Sequence, residues 1–185
     1  MYDETLRQST IKDDIPFAKY LASINVIPGI KVDMGAKPLA LHSNEKVTEG
    51  LDGLRERLDE YFKLGARFAK WRAVITIGNG LPTNASICAN AHSLARYAAL
   101  CQEANIVPIV EPEVLMDGDH TIETCYEVSE KTFCKVFEEL ETLWDYELFC
   151  GDILLAESDS TLACVDRKGQ IQPVPEEFSR LFAKR

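Results

Sequence analysis

At 185 residues the chain can bury one good core, but a full eight-unit (βα) barrel takes about 250 residues. With 46% hydrophobic and 27% charged residues the composition is that of a soluble globular protein, and the net charge of -10 argues against a general nucleic-acid or anionic-membrane surface. No apolar run approaches the ~18 residues of a membrane span, and Met1-Tyr2-Asp3-Glu4 is acidic at once, without a signal-peptide apolar core.

Residues 1 to 12 are polar and read as frayed or loosely helical. Asp14 to Ser23 reads as a short helix with Ile15, Phe17, Ala18 and Leu21 as its apolar positions. Asn25 to Val32 is the first expected strand, and Lys37 to Lys46 reads as loop. Thr48 to Leu64 is an amphipathic helix in which Leu51, Leu54, Leu58 and Phe62 recur at helical spacing, with Gly65 as terminator.

A second strand spans Arg67 to Val74. Thr83 or Asn84 caps a helix to about Glu103, with Ile87, Ala91, Leu94, Ala95 and Ala98 inward. Ile106 to Glu111 is a third strand, so continuously apolar that it is expected to be buried on both faces. A third helix follows Asp117-Gly118-Asp119 and runs to Leu140 on Ile122, Cys125, Val128, Phe133, Val136 and Phe137.

Beyond Leu140 the alternation stops. Tyr146 to Cys150 and Ile153 to Val165 read as an antiparallel hairpin, and Pro173 opens a short C-terminal helix. The expected fold class is therefore α/β: partial TIM-barrel-like (βα) units over 1–140, then a hairpin and short helix over 141–185. Open sheet edges favour self-association into a homo-oligomer.

Three strands roughly 40 residues apart each end in ionisable residues at alternate positions: Lys31 and Asp33, Lys70 and Arg72, Glu111 and Glu113. Parallel (βα) units bring such tips to one end of the sheet, so these six are expected to converge in a polar pocket. A buried ion-pair network serving stability is the plain alternative. Cations opposite carboxylates suit phosphate binding, imine formation by a lysine beside another cation, and proton transfer by Glu111. The substrate expected from these residues is an anionic sugar.

The six cysteines are scattered without a C-x-x-C pair, as in reduced thiols of a cytoplasmic protein. His42, His92 and His120 show no ligand spacing. Neither a metal nor a cofactor is expected.

Gly29-Ile30-Lys31-Val32-Asp33, Glu49-Gly50-Leu51-Asp52-Gly53-Leu54, Phe68-Ala69-Lys70-Trp71-Arg72, Ala95-Arg96-Tyr97-Ala98 and Ile106-Val107-Pro108-Ile109-Val110-Glu111-Pro112-Glu113, followed by Asp117-Gly118-Asp119-His120, stand in order. From about Tyr2 to Leu140 the chain resembles the central part of class I fructose-bisphosphate aldolase. That resemblance implies a cytoplasmic, glycolytic Schiff-base lyase that cleaves fructose 1,6-bisphosphate to triose phosphates.

By the same resemblance Glu111 matches the principal acid/base glutamate, and Lys70 the active-site lysine near the scissile bond. Lys31 and Arg72 match basic residues of the substrate pocket and Glu113 the second carboxylate of its strand; with Asp33, these are the expected substrate-binding residues. Met34 stands where a lysine is common. The family's imine-forming lysine lies on the next strand, in a segment like L-E-G-x-L-L-K-P-N-M. No lysine follows Leu140 here before Lys168, which falls in an expected turn. The family's first strand and its last two strands also have no match.

From about Tyr146 the chain resembles a second family. Ala156-Glu157, Thr161-Leu162-Ala163-Cys164-Val165-Asp166-Arg167 and Pro173-Val174-Pro175-Glu176-Glu177-Phe178 are similar to the last strands of hotdog acyl-CoA thioesterases. Three readings follow: an aldolase-type lyase lacking its usual nucleophile, a truncated or chimeric chain or phosphosugar-binding module without catalysis, and a thioesterase-like chain.

Overall fold

The computed structural model describes residues 1–143 and, beyond them, the backbone of four short strands. The chain divides into two compact units, Met1–Trp144 and Asp145–Arg185. In the first unit the order is α1 (Asp3–Leu6), α2 (Phe17–Ser23), β1 (Gly29–Lys31), β2 (Ala36–Pro38), β3 (Lys46–Thr48), α3 (Leu54–Leu64), β4 (Phe68–Ile75), α4 (Asn84–Glu103), β5 (Val107–Val114) and α5 (Ile122–Leu143).

The core is decided by the alternation along β4. Ala69, Trp71, Ala73 and Ile75 are buried, while Lys70 and Arg72 occupy the opposite face. Buried on α4 are Ile87, Ala91, Leu94, Ala95 and Ala98, whose small side chains let the helix sit close to the sheet. Leu54 and Leu58 of α3 join the same apolar cluster, as do Leu6, Ile30 and Val32. β4 is the central strand of a parallel sheet ordered β1-β4-β5, in which Lys31 pairs with Lys70 and Arg72 with Glu111.

The α/β class and the parallel strands agree with the expectation, but the described strands do not close a barrel. That changes the surroundings of β5. Val107 is 65% exposed and Ile109 42% exposed, so the strand is not buried on both faces. The face of the sheet opposite α4 has no covering layer among the described residues.

Other departures are local. The stretch expected as loop carries a hairpin, with β2 and β3 antiparallel and Lys37 opposite Val47. α3 starts six residues later than its apolar pattern suggests, because the chain turns at Gly53, which has a left-handed φ of 62°. The N-terminal stretch is anchored by buried Leu6 on α1. On α5 the buried stripe is Thr132, Val136 and Leu140, whereas Ile122 and Phe133 are 80% and 42% exposed. The hydrophobic period there was legible, but the face was shifted.

In the second unit β6 (Glu147–Cys150) pairs antiparallel with β7 (Ile153–Glu157). β8 (Cys164–Val165) pairs with β9 (Ile171–Gln172). The expected strand from Ile153 to Val165 is thus described only at its two ends. The expected C-terminal helix from Pro173 lies outside the described residues.

Thr83 caps α4 by accepting the Ser86 N–H at 3.2 Å. α5 is tied to α4 by Glu139, which lies 3.0 Å from His92 Nδ1 and 3.1 Å from Lys135 Nζ. Those two partners, His92 first, hold the Glu139 carboxyl below the usual carboxylate range.

Two predictions follow from this packing. Leu58→Ala should lower the urea-unfolding free energy by about 2–5 kcal/mol, while Met116→Ala on the exposed surface should change it by under ~0.5 kcal/mol. A carboxyl with a depressed folded pKa adds stability above its unfolded value, and that stability is lost as the pH falls. Glu139→Gln should therefore flatten the fall in stability below pH 4.5, the ordinary glutamate value, as read by chemical denaturation across pH.

Candidate functional site at the strand ends

Even-numbered side chains of β4 and odd-numbered side chains of β5 share the face turned away from α4. The register sets Lys70 beside Ile109 and Arg72 beside Glu111, so each cation reaches the carboxylate two positions farther along β5. Lys70 Nζ lies 2.8 Å from Glu111 Oε2. The approach is that of an ion pair without an aligned hydrogen bond, since Glu111 Oε2 has no hydrogen-bond partner. Arg72 Nε pairs in the same diagonal way with Glu113 Oε2. On the neighbouring strand Lys31 Nζ pairs with Asp33 Oδ1.

The six expected residues are therefore brought together, as three adjacent ion pairs along one half-exposed face, but β4 continues to Ile75 and β5 to Val114, so Lys70, Arg72, Glu111 and Glu113 lie within their strands rather than at the expected tips. Lys70 and Arg72 retain 42% and 44% of their side-chain exposure, and Glu111 and Glu113 retain 36% and 38%. Asp33 differs, with only 3% exposure. Its Oδ1 also accepts the Gly35 N–H at 3.1 Å, so the carboxylate shapes the turn that follows β1. Its Oδ2 is buried and has no partner.

Three cations face three carboxylates, so the face carries no net positive charge. An anionic ligand has to draw Lys31, Lys70 or Arg72 away from its carboxylate. The carboxylates would then be free to accept hydroxyl protons from the same ligand. The buried Asp33 Oδ2, which has no hydrogen-bond partner, has spare acceptor capacity. This arrangement suits a polyhydroxylated anion better than a bare one. No group of histidines, cysteines and carboxylates able to hold a metal ion occurs among the described residues.

Two residues that hold the strands of this face, without lying on it, carried no sequence signal of their own. Thr48 and Tyr97 touch the backbone of β4 and β5, and their partners are carbonyl and amide groups distant in sequence. Tyr97 stands within Ala95-Arg96-Tyr97-Ala98, yet its spacing reports only helix. Glu45, at 3% exposure, was also unmarked. It accepts the Thr83 N–H and hydroxyl, each at 2.7 Å, and so fixes the β2–β3 connection onto the start of α4.

A parallel α/β sheet with cation–carboxylate pairs on the face turned away from its helices is the class of site found in (βα) enzymes. Comparison with known proteins gives the family. The glycolytic fructose-bisphosphate aldolase class-I family matches residues 1–164. A probable fructose-bisphosphate aldolase class 1 of Xanthomonas campestris is 66% identical over 140 residues, which is 76% of this chain and 42% of that protein. The non-muscle fructose-bisphosphate aldolase of Lethenteron camtschaticum is 49% identical over 178 residues, covering 96% of this chain and 47% of the relative.

The aldolase of Plasmodium falciparum, solved in complex with TRAP and a small-molecule inhibitor, matches with a TM-score of 0.72 and 50% identity. That match covers 75% of this chain and 40% of the solved one. The chain belongs to the class I fructose-bisphosphate aldolase family. It spans about two-fifths of the length of the relatives it matches, 42% in the Xanthomonas case. The family match runs to residue 164, into the stretch that resembles thioesterases, and supports the aldolase relation there instead.

Burial separates the ion pairs energetically. A charge pair with one partner out of water couples more strongly than a pair that solvent screens. In double-mutant cycles read by urea unfolding, Lys31→Met with Asp33→Asn should show the larger coupling. Lys70→Met with Glu111→Gln should stay within the ~0–1 kcal/mol typical of exposed pairs.

Proposed function

We propose that the strand-end face binds a sugar bisphosphate and supplies the proton-transfer half of class I aldolase chemistry. The observation that carries this reading is the Lys70–Glu111 pair at 2.8 Å, on neighbouring parallel strands of a chain in that family. Glu111 is the acid/base group. Lys70 lies where the scissile carbon–carbon bond would sit, and its ammonium stabilises the developing alkoxide. Arg72 and Lys31 hold phosphate and hydroxyl oxygens, while Glu113 and Asp33 orient those cations.

The substrate of the reading is fructose 1,6-bisphosphate, cleaved to two triose phosphates. Lys70, Arg72, Glu111 and Glu113 stand within β4 and β5, on the face turned away from α4. A cytoplasmic location and self-association through open sheet edges belong to the same reading. The family's imine-forming lysine has no match in residues 1–143, and the lysines on this face are Lys31 and Lys70. Any carbon–nitrogen bond made by the described face therefore falls to one of those two.

Incubation with fructose 1,6-bisphosphate, borohydride reduction and intact-mass measurement test this directly. A triose-phosphate adduct mapped to Lys31 or Lys70 is the result for a chain that runs the full cycle. Binding without an adduct confines the chain to the phosphosugar-binding part of the reading. Absence of binding by a folded chain overturns the proposal. Arg72→Ala should weaken fructose 1,6-bisphosphate binding about tenfold, as expected for a lost charge-assisted contact, and isothermal titration calorimetry would measure it.

A further inference from the structure

The strand that carries Lys70 and Arg72 is held at both of its edges by hydroxyl groups from outside the ladder. In a parallel sheet the carbonyls of a central strand point alternately to its two neighbours. On the β1 side the Val32 N–H donates to the Lys70 carbonyl at 3.1 Å. The next carbonyl on that edge is that of Arg72, but β1 has by then left the sheet. Met34 donates instead to the Glu49 carbonyl at 2.8 Å. The Thr48 hydroxyl fills the gap and donates to the Arg72 carbonyl at 2.7 Å.

On the β5 edge the ladder is unbroken, from Phe68 beside Val107 to Ile75 beside Val114, and a hydroxyl reinforces it. Val107 N–H donates to the Arg67 carbonyl and Leu115 N–H to the Ile75 carbonyl, each at 2.9 Å. The same alternation aims the Ile109 N–H at the Ala69 carbonyl. The Tyr97 hydroxyl joins both groups, accepting the Ile109 N–H at 3.1 Å and donating to the Ala69 carbonyl at 2.7 Å, with the Ile109 carbonyl at 3.3 Å as a longer alternative. Both hydroxyls come from buried residues.

Each clamp is itself fixed. The Thr48 N–H donates to Asn90 Oδ1 at 3.2 Å, and Asn90 Nδ2 donates to the carbonyls of Lys46 and Ser86 at 2.9 and 3.0 Å. The Tyr97 ring stacks on Trp71 with centroids 5.4 Å apart. Burial pushes the Tyr97 phenol upward, so its proton stays in place.

We infer that Thr48 and Tyr97 are positioning residues, which set Lys70 and Arg72 against Glu111 and Glu113 by clamping the carbonyls of Ala69 and Arg72. Neither touches the face where a ligand would bind. Both fix the strand from behind, where a displacement of about 1 Å would separate the diagonal partners. The inference rests on the strand-end face being the site, but its test needs no ligand, so it fails or stands apart from the sugar-phosphate reading.

The experiment uses the full chain, labelled with nitrogen-15, and follows proton exchange of the Arg72 Nε–H and the Lys70 ammonium by NMR. Thr48→Val removes one hydroxyl at nearly constant shape, and Tyr97→Phe removes the other. Thr48→Val should speed Arg72 Nε–H exchange about threefold, the protection that an ion pair of ordinary strength confers, and Tyr97→Phe should do the same at Lys70. Thr48→Ser, which keeps a hydroxyl, should restore the wild-type rate at Arg72.

A purely structural role predicts something else. Both variants would then unfold at lower urea concentration while the two exchange rates stayed as in the wild type, and that result overturns the inference. Because the two substitutions act on opposite edges of the strand, either one decides the matter if the other does not fold.

Discussion

The two-sided character of β4 is the constraint on which the rest of the structure depends. One side, Ala69-Trp71-Ala73-Ile75, has to be dry, because burying that apolar surface against α4 holds the sheet together. The other side then has no choice of direction. With a period of two, Lys70 and Arg72 must point away from the helix layer. A register slip of one residue would bury two cations and expose Trp71. The strength of the core is therefore also what aims the site.

The chemistry follows from placing β5 beside such a strand in parallel. Glu111 and Glu113 fall on the same face as the cations, one diagonal step forward, and Lys31 and Asp33 add a third pair on the other neighbour. Mutual neutralisation keeps the unliganded face tolerable without a covering layer. On the proposed reading it also makes binding an exchange, in which phosphate and hydroxyl groups replace carboxylate partners. That exchange is the physical link between a charge-balanced surface and the proposed anionic sugar substrate.

Much of this was legible in the sequence because it is encoded by local periodicity. The alternation in Phe68-Ala69-Lys70-Trp71-Arg72 identifies the strand and its faces, and the apolar spacing from Ile87 to Ala98 identifies the helix that covers it. What escaped depends on partners far along the chain or on a missing layer. The exposure of Val107 and Ile109 reflects the open side of the sheet, which a continuous apolar run cannot report. The β2–β3 hairpin hid in a stretch rich in loop signals, held by Glu45 against Thr83 and by Thr48 against Asn90 and the Arg72 carbonyl. Tyr97 reads as one more inward helix residue until its hydroxyl is seen between two strands.

The claim that the face opposite α4 is the ligand site is tested most directly by mapping amide and side-chain NMR shifts during titration with fructose 1,6-bisphosphate. The account predicts that the largest changes fall on Lys31, Lys70, Arg72, Glu111 and Glu113, with residues of α3 and the outer side of α4 unmoved. Changes concentrated around the α3–α4 groove, where Arg55 of α3 pairs with Glu103 of α4 at 2.9 Å beside Arg96, with the sheet face silent, would contradict it.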